Sequence, residues 1–150
     1  MTLALRHAAL GLALALASGL AAAQATPAGL WKTVDDSTKK EKSLVRIVES
    51  GGVYTGRVEK VIDPDSPKDA VCKDCTDDRK DKPVVGMTII RNMKASGDKD
   101  VFEGGDILDP NNGKVYSAKL TLVDGGKKLD VRGYIGMPML GRTQTWQRVE

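Results

Sequence analysis

Cys72-Lys73-Asp74-Cys75 is the tightest pairing of reactive side chains in the sequence. Two thiols three positions apart can close a small disulfide ring, exchange electrons with a partner thiol, or supply half of a tetrahedral metal site. Redox work needs a stabilised thiolate. Asp69, Asp74, Asp77 and Asp78 surround this pair and oppose one. A zinc ion needs two further ligands that the neighbourhood does not supply in any recognised spacing. The favoured reading is therefore a structural Cys72–Cys75 disulfide, with metal binding completed by carboxylates or a second subunit, and then CxxC redox chemistry, as the lesser alternatives. The ring is too small to add much chain-entropy stabilisation.

Other constellations are weaker. Glu103-Gly104-Gly105-Asp106 brings two carboxylates together, as acid–base catalysis requires, yet a double glycine in a strand usually marks a bulge. The acids Asp63, Asp65, Asp77, Asp78 and Asp81 lack the spacing of a calcium loop and alternate with Lys68, Lys73, Arg79, Lys80 and Lys82. They read as a solvated, self-neutralising loop. Asp109-Pro110-Asn111-Asn112-Gly113 reads as a turn. Near the C-terminus, Arg142, Gln144, Trp146 and Arg148 share one strand face. Such a face can hold an anionic or aromatic group; equally, an arginine can stack on a ring and bond backbone carbonyls. The Met137–Leu140 turn offers an apolar tip that could border a cavity, touch a partner or plug the barrel.

The elements that would position these groups are short strands. Expected strands are 30–34, 44–49, 53–62, 86–92, 101–108, 114–123, 128–135 and 141–149, rich in β-branched and aromatic residues. Turn signals such as Ser50-Gly51-Gly52 and Asp124-Gly125-Gly126 separate them. In the sixth strand Tyr116, Ala118, Leu120 and Leu122 take one face and most of Lys114, Ser117, Lys119 and Thr121 the other. In the seventh, Leu129, Val131 and Ile135 oppose Lys128, Asp130 and Arg132. This period of two buries one face. The fold expected is all-β, a small antiparallel eight-stranded meander barrel. A long polar excursion at 63–83 carries both cysteines and has room for a short helix within 64–82.

The N-terminus sets the expected compartment. Arg6 precedes an apolar run, and small residues end in Ala21-Ala22-Ala23-Gln24-Ala25. These are the parts of a secretory signal peptide over 1–25, cleaved near Ala25 or Ala23. Residues 26–150 then form a single domain, periplasmic or secreted, with no membrane span after cleavage. The only histidine, His7, lies in that leader. The exported chain therefore has no Ser-His-Asp or Cys-His centre and no histidine-bearing zinc site. Losing Arg6 lowers a formal charge of +3 by one, too little to suggest nucleic acid. No cofactor is implied.

Gly29-Leu30-Trp31, the Cys72-x-x-Cys75 loop, Gly104-Gly105-x-Ile107-x-Asp109-Pro110, Leu129-x-Val131-Arg132-Gly133-Tyr134 and Leu140-Gly141-Arg142-Thr143-x-x-Trp146-x-Arg148 resemble an exported bacterial family known as domain of unknown function 2147. That family implies a location and no activity. The chain also resembles lipocalins, whose Gly-x-Trp on the first strand packs against an arginine on the last. Here those parts fall to Trp31 and to Arg142 or Arg148. The resemblance implies a lipocalin-like barrel, and that barrel with its Arg/aromatic pattern points to a small apolar or amphipathic ligand held inside. Trp31, Tyr54, Tyr134 and Trp146 would contact it, and Arg132 or Arg142 would orient its polar end. A filled barrel serving as an envelope interaction or scaffold protein is the alternative, and an enzyme comes last.

Overall fold

The computed structural model describes residues 25–150. The expected leader lies, but for Ala25, outside the described residues. Eight antiparallel strands close on themselves in sequence order: β1 Gly29–Val34, β2 Glu41–Ser50, β3 Val53–Val61, β4 Thr88–Ala95, β5 Val101–Asp109, β6 Lys114–Val123, β7 Lys128–Tyr134 and β8 Arg142–Arg148. The chain is thus the all-β meander barrel that its alternation requires. Closure removes both sheet edges, which an open sheet would leave as unpaired backbone.

Local chemistry accounts for the hairpins. Between β2 and β3 only Gly51 and Gly52 turn the chain, with φ of 58° and 82°. Two consecutive positive φ angles match the right-handed twist of the flanking strands, and glycine adopts them without a Cβ penalty. In β5 the pairing with β6 shifts between Phe102 and Gly105, so the double glycine is a bulge. Glu103 and Asp106 stand opposite Lys94 and Arg91 of β4 rather than facing each other across a cleft.

Inward positions stack in rows. Leu122, Leu129 and Trp146 align across β6, β7 and β8; Leu120, Val131 and Gln144 form the next row, and Ala118, Gly133 and Arg142 the one nearest the β7–β8 turn. Trp31, Val45, Ile47, Tyr54, Met93 and Phe102 are buried with Leu120 and Leu129 in the filled half of the barrel. Tyr54 meets Phe102 edge to face with ring centroids 5.1 Å apart. Such a pair adds about 0.5–1.5 kcal/mol beyond its buried area.

Two expectations need correction. The period of two puts Ile135 on the core face of β7, but the strand ends at Tyr134 and Ile135 is 67% exposed. Periodicity holds only while the ladder continues, and Gly136 turns the chain away. The charge pattern of the 63–83 excursion predicts a solvated loop with room for a short helix. It forms no helix, and Asp63, Cys72, Cys75 and Arg79 are all buried in it. Val71 pairs with Pro83 as a short bridge, and Cys72 exchanges backbone hydrogen bonds with Asp81 and Lys82. Cys72 and Cys75 are joined by a disulfide that packs into the hydrophobic core. The segment is a folded flap on the barrel. Gly113 sits against it so closely that a Cβ there would run into the Asp74 carbonyl.

Candidate functional site

The two barrel ends differ. At the end holding the β2–β3, β4–β5 and β6–β7 turns, Trp31 is fully buried and its Nε1 donates to the Pro27 carbonyl at 2.8 Å. The Arg148 guanidinium lies 4.3 Å from the Trp31 ring centroid. Its Nε donates to the Gly126 carbonyl at 2.7 Å, Nη1 to Ala28 at 2.8 Å and Nη2 to Thr26 at 2.7 Å. Burial pushes the Arg148 pKa down from its ordinary value. A planar cation with five donors suits this place, because it satisfies loop carbonyls and covers an aromatic face at once. This end is sealed.

The other end is hollow. A cavity of about 500 Å³ opens there among the β1–β2, β3–β4, β5–β6 and β7–β8 connections. Its apolar lining includes Val58, Val61, Ile89, Ile107, Leu108, Val131 and Trp146; its polar rim includes Thr33, Asp35, Asp36, Lys42, Asp109 and Arg142. The inward row nearest this end holds Ala118 and Gly133, two of the smallest side chains, beside Arg142, and Gly133 and Arg142 line the cavity. An eight-stranded barrel is just wide enough to be filled by its own side chains or to keep one small ligand.

Rim charges are largely engaged. Arg142 donates from Nη2 to Asp36 Oδ1 at 2.8 Å, from Nε to Asp36 Oδ2 at 3.1 Å and from Nη2 to Ser37 Oγ at 2.9 Å. The Asp36 carboxylate beside it raises the Arg142 pKa. Lys42 donates to the carboxylate of Asp63, which also accepts from the Asp65 amide at 2.9 Å and the Ser66 hydroxyl at 3.0 Å. Led by the Lys42 hydrogen bond, these contacts bring the Asp63 pKa down to about 2.

Beside this cavity the barrel wall is thin. β1 and β8 pair at Trp31–Arg148 and Lys32–Gln147, and the paired register goes no further toward the mouth. Beyond it, Thr33, Asp35 and Asp36 on one side and Arg142, Gln144 and Trp146 on the other all line the cavity. The Arg142–Asp36 fork spans the seam at the rim.

The residues proposed from the sequence therefore separate. Tyr134, Arg142 and Trp146 come together around the cavity. Trp31 belongs to the sealed end and Tyr54 to the filled half. Arg132 donates from Nε to the Pro138 carbonyl at 2.5 Å and from Nη1 to Thr143 Oγ1 at 2.7 Å, pinning the β7–β8 turn. Sequence reasoning missed Asp35, Asp36, Tyr116 and the apolar wall from Val58, Val61 and Ile107. Only Tyr116 carried a signal, being on the core face of β6. Among the described residues no cluster of three metal-ligating side chains occurs. A second hollow of about 490 Å³ lies outside the barrel over β2 and β3, where Arg46 is tied to Glu59 and Glu150.

Comparison with known proteins agrees with this architecture. The family described as "Uncharacterized protein conserved in bacteria (DUF2147)" matches residues 29–148. No curated protein matches the sequence. A solved structure from the human pathogen Helicobacter pylori, described as belonging to the lipocalin family, superposes with a TM-score of 0.70 at 20% identity, covering 85% of each chain. At that identity the likeness concerns the fold. Within the chain itself, Arg148 is the arginine stacked on Trp31, while Arg142 is at the far rim.

Proposed function

The chain belongs to the DUF2147 family, and from that premise we propose that it is an exported, non-enzymatic barrel that holds a small apolar or amphipathic ligand. One observation carries this reading: a half-apolar cavity of about 500 Å³ opens at one barrel end while the other end is sealed. A concave site with an apolar wall and a few convergent polar groups is the usual form of a small-molecule site. Export rests on the N-terminal pattern of a basic residue, an apolar run and small residues near Ala25.

Tryptophan fluorescence tests the reading directly, because the two tryptophans have opposite positions. Trp146 lines the cavity and Trp31 is buried at the sealed end. Titration with a neutral long-chain alcohol is expected to shift the emission of the unchanged protein. In Trp146→Phe, whose only remaining indole is Trp31, the shift should vanish while binding measured by calorimetry persists. An alcohol, amine and fatty acid series that all fail to bind would remove the proposal. Native mass spectrometry of protein taken from its own envelope then identifies the resident molecule.

A second reading has its own observation. Ile135, Met137, Met139 and Leu140 are 54–73% exposed on the β7–β8 turn beside the mouth. An apolar tip of this kind suits contact with an envelope protein. Cross-linking from that turn, with a ligand-free cavity, would favour this reading over the first.

A further inference from the structure

We propose that the cavity selects an amphipathic ligand whose polar end is a cation, in chemical class an alkylamine, over one that ends in a carboxylate. This rests on the reading of the cavity as a ligand site and adds the charge of the ligand.

The argument comes from which rim charges are free. Both cations lining the cavity are taken: Arg142 is forked onto Asp36, and Lys42 holds Asp63. Two carboxylates make no ion pair, although Arg142 acts on Asp35 at longer range. Asp35 Oδ1 accepts from the Ser37 amide at 2.9 Å, the Thr38 amide at 2.7 Å and the Thr38 hydroxyl at 3.0 Å. Asp109 Oδ1 accepts from the Asn111 amide at 2.9 Å. In both residues Oδ2 has no hydrogen-bond partner among the described residues, and both side chains are half-buried at the mouth. The turn amides thus hold each carboxylate in place and leave one oxygen to spare. The Thr38 hydrogen bonds also keep the Asp35 carboxyl below its ordinary pKa, so it stays charged at neutral pH.

An ammonium entering here meets an available acceptor on either side of the mouth, Asp35 or Asp109, and breaks no existing ion pair. Tyr116 and Tyr134, which also line the mouth, add rings that attract cations. A carboxylate at the same depth has two options. It shares Arg142 or Lys42 with the acid each already holds, through a spare N–H such as Arg142 Nη1, or it lies beside a carboxylate of its own sign. Either costs affinity, and for a half-screened mouth the difference amounts to about tenfold or more.

The experiment is competition against a neutral fluorescent probe, N-phenylnaphthylamine, bound to the purified protein at neutral pH. The competitors are dodecylamine, dodecanol and dodecanoate, each below its micelle concentration. Dodecylamine should displace the probe best and dodecanoate worst, with at least about tenfold between them. Raising the salt should shrink that gap without moving dodecanol. The double variant Asp35→Asn, Asp109→Asn should bring amine and carboxylate together and leave dodecanol unchanged; the salt series on the unchanged chain gives the same reading without relying on the variant's folding. Dodecanoate equal to or tighter than dodecylamine, with dodecanol bound, overturns the charge preference and leaves the cavity as a ligand site. Failure of all three competitors and the probe to bind overturns both.

Discussion

Arg148 shows how one side chain can have several duties. It covers Trp31 and satisfies three loop carbonyls that have no strand partner of their own. Arg148→Lys keeps the charge and loses the fork and the flat face, so it should destabilise the protein by about 2–4 kcal/mol, read as a lower urea midpoint. Arg142→Lys provides the contrast. Its fork to Asp36 is exposed, and such pairs contribute about 1 kcal/mol or less, so its midpoint should barely move. The sequence placed both arginines on the face of Trp146. It could not tell them apart, because the difference lies in which barrel end each reaches.

At the scale of elements, the 63–83 flap departs most from its sequence. Composition made it a solvated loop, yet Asp63 and Arg79 are buried with partners. Arg79 forks onto Asp77 and donates to the Thr88 carbonyl at 2.9 Å. Alternating charges look alike whether they face water or one another, so only the folded path distinguishes the two cases. The flap has a pH signature. The Lys42 hydrogen bond holds Asp63, and the Arg79 hydrogen bond holds Asp77, at a pKa of about 2, against an ordinary value of 3.8. With folded pKa values below the unfolded ones, the stabilisation is complete above pH about 4 and is lost as the pH falls toward 2. Urea midpoints measured from pH 5 to pH 2 should fall across that window. Asp63→Asn should flatten the fall while lowering the midpoint at neutral pH, and an unchanged slope would remove Asp63 from the account.

For the whole molecule, the decisive event is ring closure between the first and last strands. It has few backbone bonds: Leu30 donates to the Glu150 carbonyl at 2.7 Å and Val149 to Leu30 at 2.7 Å, beside the two paired positions of β1 and β8. Both tryptophans sit on these strands. A chain ending at Gln147 loses Arg148 and both of those bonds. It should unfold without a single cooperative transition, with near-ultraviolet dichroism lost before far-ultraviolet dichroism. Coincident transitions in the shortened chain would mean that closure is held elsewhere.

Strand number, hairpin positions and the meander order were legible because they depend on local chemistry. Alternation in β6 and β7 and the Gly51–Gly52 turn act within a few residues of themselves. Half of the site was legible too, since Tyr134, Arg142 and Trp146 belong to segments whose inward face the period of two reveals. What only the tertiary structure decided is which inward positions meet an empty space and which meet other side chains. Trp31 and Trp146 have the same chemistry, and one seals an end while the other lines a cavity. The cavity is lined from strands distant in sequence, such as Ile107, Tyr116, Gly133 and Arg142, and a closed ring brings them together in a way that no single segment records.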